Sequence, residues 1–102
     1  MKMRYEVERL RREIDQCDAQ LQDIVRARVE LVRRIAAYKI ASGVEMHDEE
    51  RESSILVRFN GIDCPVERQL MNAVYAQLFK SGKALWQQAV ERRANALDTS
   101  EG

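Results

Sequence analysis

Six charged side chains have the types and spacing to handle a small anion: Arg11, Arg28, Lys39, Asp48, Arg51 and Glu52. Arg28 is the most informative. It interrupts an apolar seam that runs Leu10, Ile14, Cys17, Leu21, Ile24, then Leu31, Ile35 and Tyr38. The seam alternates steps of four and three residues, as one packed face of a helix requires. That pattern asks for an apolar side chain at position 28, and the chain supplies a guanidinium. An arginine buried without a partner is expensive, so Arg28 needs an acid, water or a ligand beside it. Lys39 follows almost three turns later and close to the same line, with Val32 and Ile35 between them. Arg11 lies about 100° around the helix from Arg28, so the two cannot share a pocket within one copy. It would serve a pocket built by a second chain. Taken alone, this helix favours a buried ion pair at Arg28 that fixes dimer register. The stretch "HDEERESSIL" shifts the balance. It sets Asp48, Glu52, Ile55 and Phe59 on one helical face with Arg51 beside them, while Glu49 and Glu50 read as an ordinary solvated turn. Three or four cations and two carboxylates around an apolar floor suit a small polyanion that also carries hydroxyl groups.

The bulk properties narrow the alternatives. A chain of 102 residues makes one small domain. Its 17 basic and 17 acidic residues cancel, so no overall field draws it to nucleic acid or an anionic membrane. Any bound anion must be met locally. No apolar run is long enough to span a bilayer, and "MKMRYEVERLRR" lacks the apolar core of a secretory signal. Cys17 and Cys64 stand far apart, in keeping with two ordinary thiols in a reduced, cytoplasmic setting. A single histidine, His47, assembles no metal cluster, and it reads as a linker residue near a site mouth. No metal or other cofactor is expected. Arg26, Arg33, Arg34, Arg92 and Arg93 are interleaved with acids and read as solvated faces, not a nucleic-acid surface. Trp86 and Tyr75 read as core residues.

The elements that must position these groups are all helical. No glycine precedes Gly43 and no proline precedes Pro65, so a first helix is expected from about residue 4 to 42, capped by Gly43. A second helix over about 48–60 starts at the N-cap Asp48 and ends at Asn60-Gly61. A third over about 65–95 opens with Pro65 in its first turn. It carries Leu70, Met71, Val74, Tyr75, Leu78, Phe79, Leu85, Trp86 and Ala89 on one broad face. A helical domain over 1–96 and a disordered tail over 97–102 follow. The class is all-α, with one very long, one short and one medium helix. A first helix of that extent is about 58 Å long, against a diameter of about 33 Å for a compact chain of this size. Two shorter helices cannot cover its stripe, so an intertwined homodimer is expected.

Leu10-Arg11, Ile14-Asp15, Asp18, "RARVELVRRIAAYK" and "MHDEERESSIL" together resemble the all-helical (AroQ) class of chorismate mutases. The likeness spans roughly residues 8 to 60, including the spacing of R…R…K…D-x-x-R-E. It implies a pericyclic conversion of chorismate to prephenate, on the way to phenylalanine and tyrosine, in interlaced dimers whose sites each borrow an arginine from the neighbouring chain. On that resemblance Arg28 and the neighbour's Arg11 bind the two substrate carboxylates. Lys39 addresses the ether oxygen and a carboxylate, Arg51 adds positive potential, and Asp48 with Glu52 meets the ring hydroxyl. Ile35 contributes floor.

The family also implies a glutamine on the third helix as a second donor to the ether oxygen. "VYAQLFKSGKALWQQA" offers two registers. Matching the glutamine selects Gln87, which then points away from the face made by Leu78, Leu85 and Ala89. Matching the apolar face puts Gly82 and Trp86 on the pocket side, with Gln88 nearer the boundary. The face is preferred, because burial constrains a whole helix. Other readings share the fold: an isochorismate-pyruvate lyase, a mutase of the 4-amino analogue of chorismate, or a non-catalytic module that binds an aromatic metabolite.

Overall fold

A computed structural model describes residues 2–45 and 47–101, with side chains through residue 97. Every regular element among the described residues is helical: α1 (Lys2–Ser42), α2 (Glu49–Val57), a 3₁₀ turn (Arg58–Gly61) and α3 (Pro65–Glu101). None of these helices is long and apolar enough to cross a membrane. The chain divides into two compact units, Met1–Leu31 and Val32–Gly102.

The first unit is an uninterrupted stretch of α1. Its polar face is laced by Arg9–Glu6 at 2.8 Å, Arg9–Glu13 at 3.6 Å and Arg11–Glu8 at 3.2 Å. Exposed helical pairs of this kind contribute only a few tenths of a kcal/mol each. The apolar positions Leu10, Ile14, Leu21, Ile24 and Leu31 are exposed. Arg28 and Val29 are half-buried.

The second unit holds the core. Ala36 is fully buried, and Ile55 and Phe59 nearly so. The Phe59 ring lies 5.0 Å from that of Tyr75, which meets Phe79 at 5.9 Å edge-on. Such tilted contacts suit the aromatic quadrupole and tie the 3₁₀ turn to α3. Arg68 donates to the Ile62 carbonyl at 2.7 Å and fixes the entry to α3. Cys64 closes the first turn by accepting from the Arg68 amide, so Pro65, without an N–H, occupies a position where none is needed. Met71, Leu78, Leu85, Trp86 and Ala89 are half-buried along the expected face of α3, whereas Leu70 and Val74 stay exposed. A Cβ built on Gly82 would reach Val32 Cγ1 at 4.0 Å, which marks the approach of α3 to the last turns of α1.

Three boundaries differ from the sequence expectation. α1 begins at Lys2, two residues early. The second helix leaves α geometry after Val57 and finishes as a 3₁₀ turn. Gly61 does not adopt positive φ, so Asn60-Gly61 is not the left-handed cap its composition suggested; the Ile62 amide bonds to the Phe59 carbonyl instead. The third helix does not stop near Asn95. It continues through Glu101, and the tail expected to be disordered is helical there. No proline or glycine lies between Gly82 and Gly102, so the backbone meets no local reason to leave the helix.

Phe59→Ala removes the centre of the aromatic cluster and is expected to lower the unfolding free energy by about 3–5 kcal/mol. A shift of the urea midpoint, at unchanged slope, measures it.

Candidate active site

The last turn of α1 folds back on itself because Gly43 adopts φ +71°, open to glycine at no steric cost. The Val44 amide bonds to the Lys39 carbonyl at 2.9 Å and the Gly43 amide to Ile40 at 3.2 Å, a Schellman motif. This fold-back brings Gly43, Val44 and Glu45 beside the half-buried Lys39. Trp86 and Val90 of α3 face the same space, and with Ile40 these residues line an open cavity of about 250 Å³. One lysine, one acid (Glu45), one tryptophan and an aliphatic wall thus line it. Val90 was not singled out from the sequence, although it stands one turn after Trp86 and shares its side of α3.

Asp48, Arg51 and Glu52 gather at the start of α2. Asp48 is the N-cap: its Oδ1 accepts from the Arg51 amide at 2.9 Å. Glu49, Glu50 and Glu52 occupy the first turn, where the positive end of the helix dipole favours them. Glu52 is half-buried while Asp48 and Arg51 are exposed. His47, read from sequence as a bystander, lies 3.3 Å from a carboxylate oxygen of Glu49 and 3.3 Å from one of Glu52. Sequence adjacency hinted at the first contact only.

The remaining expected residues fall as follows. Ile35 is exposed on α1. Gln87 is exposed and lines neither the Lys39 cavity nor a second one across α3, whereas Gln88 lines that second cavity. The side chain beside Lys39 is therefore Trp86, as matching the apolar face of the helix required. Arg11 and Arg28 belong to the first unit, where Arg11 is exposed and held by Glu8.

Asp48→Ala is expected to cost about 1 kcal/mol through loss of the cap, and Asp48→Asn to retain that stability. Thermal unfolding followed by helical circular dichroism separates this capping role from any contact with a ligand.

The family model described as chorismate mutase type II matches residues 10–87. No curated protein and no solved structure matches the chain.

Proposed function

The chain belongs to the chorismate mutase type II family, and from that premise we propose that it isomerises chorismate to prephenate in a cationic pocket shared between two copies. The observation that carries this reading is the Lys39 ammonium beside an indole-walled cavity in a chain of that family. The exposed stripe of α1 supports the second copy. Leu21, Ile24 and Leu31 each present more than half of their surface to water. A homodimer formed along the stripe buries them and brings the neighbour's Arg11 to a site that one chain cannot complete.

The reaction breaks one C–O bond as one C–C bond forms, with no atom or proton exchanged. The site must hold a flexible dianion in its reactive chair, which converts binding energy into restricted motion. It must also stabilise charge that grows on the ether oxygen. Arg28 and the partner's Arg11 are assigned to the two carboxylates, and Lys39 to the ether oxygen and a carboxylate. Arg51 deepens the positive potential. Asp48 and Glu52 accept from the ring hydroxyl, and Ile35 and Trp86 exclude water. A rate gain of about 10⁶ asks for roughly 8 kcal/mol of differential stabilisation. Charge-assisted bonds that strengthen as the ether bond breaks supply energy of that order in a dry site. Proton-transfer groups are not needed, which suits a constellation of arginines and one lysine.

Trp86 beside Lys39, where the family uses a glutamine, favours a second reading: an isochorismate-pyruvate lyase on the same cationic floor. An indole N–H donates one hydrogen bond but presents a wide apolar face, so it changes which ring substituents are accommodated. Loss of the chorismate diene absorbance reports the mutase, and salicylate fluorescence from isochorismate reports the lyase. Turnover of neither, with saturable binding of prephenate, would leave a metabolite-binding module.

Arg28→Ala is expected to lower turnover by about 10²–10³ while the chain stays a folded dimer by sedimentation; unchanged turnover removes Arg28 from the mechanism. Refolding equal amounts of Arg11→Ala and Arg28→Ala chains should restore about a quarter of wild-type activity. In the mixed dimer both lesions fall in one site and the other is intact. Activity no higher than either parent excludes a site completed in trans.

A further inference from the structure

We propose that the chain carries a second anion site, between α1 and α3 next to the Lys39 cavity, that takes a small dianionic organic molecule with an apolar body. Arg33 of α1 and Gln88, Arg92 and Arg93 of α3 surround a cavity of about 310 Å³. Its floor is apolar, made by Ala37, Ile40, Leu85 and Ala89. The volume lies at the small end of ligand pockets, and the wall combines convergent polar groups with an apolar base as such pockets do.

The charge pattern is what sets this cavity apart. Near the start of α1, Arg9 and Arg11 are answered by acids three or four residues away, and Arg33 has Glu30 three residues before it without pairing to it. No acid stands three or four residues from Arg92 or Arg93, so α3 offers neither of them a partner along its own surface. Among the described residues none of Arg33, Arg92 and Arg93 is ion-paired, and no carboxylate lines the cavity. Three arginines, all exposed, thus line one small space and give it a local excess of positive charge, screened by solvent in the empty state. In a chain with zero net charge that local excess is not a consequence of overall basicity. A ligand with two acid groups relieves it, and guanidinium forks meet carboxylate or phosphate oxygens two at a time. The Gln88 amide adds a donor and an acceptor beside them.

The two cavities meet at Ile40, which lines both, and are otherwise lined by different residues. Counting about 100° per residue, Lys39 lies about 40° around α1 from Ile35, while Arg33, Ala37 and Ile40 lie about 140–200° away. A second chain seated on the stripe at Ile35 leaves the arginines open to solvent. Binding there is independent of whether the chain turns over chorismate, so the test reads binding and not activity.

The isotope-labelled full chain is titrated with phthalate, an aromatic dicarboxylate, and separately with inorganic phosphate, while amide shifts are followed at low ionic strength. Saturable shifts are expected at residues 33, 37, 85, 88, 89 and 92. Arg33→Gln/Arg92→Gln should weaken binding at least tenfold, Arg93→Gln should weaken it alone, and Arg26→Gln, outside the cavity, should not. Tighter binding of phthalate assigns a carboxylate ligand, and tighter binding of phosphate a phosphorylated one. The proposal fails if no saturable shift appears into the millimolar range. It fails equally if the shifts centre on Lys39 and Glu52, or survive unchanged in the folded double variant.

Discussion

An apolar stripe that one copy of the chain leaves in water is the constraint on which the rest depends. α1 keeps a strict four-three seam from Leu10 to Tyr38, yet the described core of the chain is reduced to Ala36, Ile55 and Phe59. Each leucine or isoleucine on that seam is about half exposed and so forgoes about 1 kcal/mol of burial. Domain stability totals only about 5–15 kcal/mol, so several such residues amount to a large share of it. A helix this long and this poorly covered suits one half of the proposed interface. The proposed homodimer follows from that deficit, and so does the proposed sharing of arginines.

Arg28 then has a physical rationale within the proposed assembly. A guanidinium in a leucine's place weakens the seam unless something negative meets it. If the seam doubles as the floor of an anion site, the same residue that costs interface stability provides binding energy for a dianion. Lys39 is placed by a different device. Its carbonyl is tied into the Schellman motif, so the backbone that carries the ammonium is fixed by Gly43 and Val44, not by the ligand. A preorganised cation keeps more of its attraction for the transition state, because little reorganisation is needed when charge develops.

Legibility in the sequence tracked how local each determinant is. The end of α1 at Ser42 and the start of α3 at Pro65 were readable, since Gly43 and Pro65 act through their own backbone. The Asp48 cap was readable for the same reason. The end of the second helix was not: Asn60-Gly61 has the composition of a left-handed cap, but burial of Phe59 against Tyr75 goes with a 3₁₀ exit instead. The extension of α3 to Glu101 was missed because a fraying helix and a continuing one look alike without a breaker. At the candidate site, the choice of Trp86 over Gln87 beside Lys39 followed from reading a whole helical face. The arginine cavity was illegible. Arg33 and the Arg92-Arg93 pair sit on helices far apart in sequence, and each alone looks like a solvated basic position.

The two cavities flank one line of approach between α1 and α3, marked by Ala36, Val32 and Gly82, and small residues along such a line leave room on both sides. What differs is how each is covered in the proposed assembly. The Lys39 cavity lies on the stripe side of α1, so a partner chain roofs it and excludes water. Electrostatic stabilisation of a transition state requires that dryness. The arginine cavity shares Ile40 with it, but Arg33 and Ala37 lie about 160° around α1 from Ile35, so the proposed seam leaves those two positions open to solvent. There guanidiniums remain hydrated, each contact is worth less, and a ligand exchanges freely with solution. A single helix pair of this geometry therefore carries a proposed reacting site and a proposed binding site that meet at Ile40.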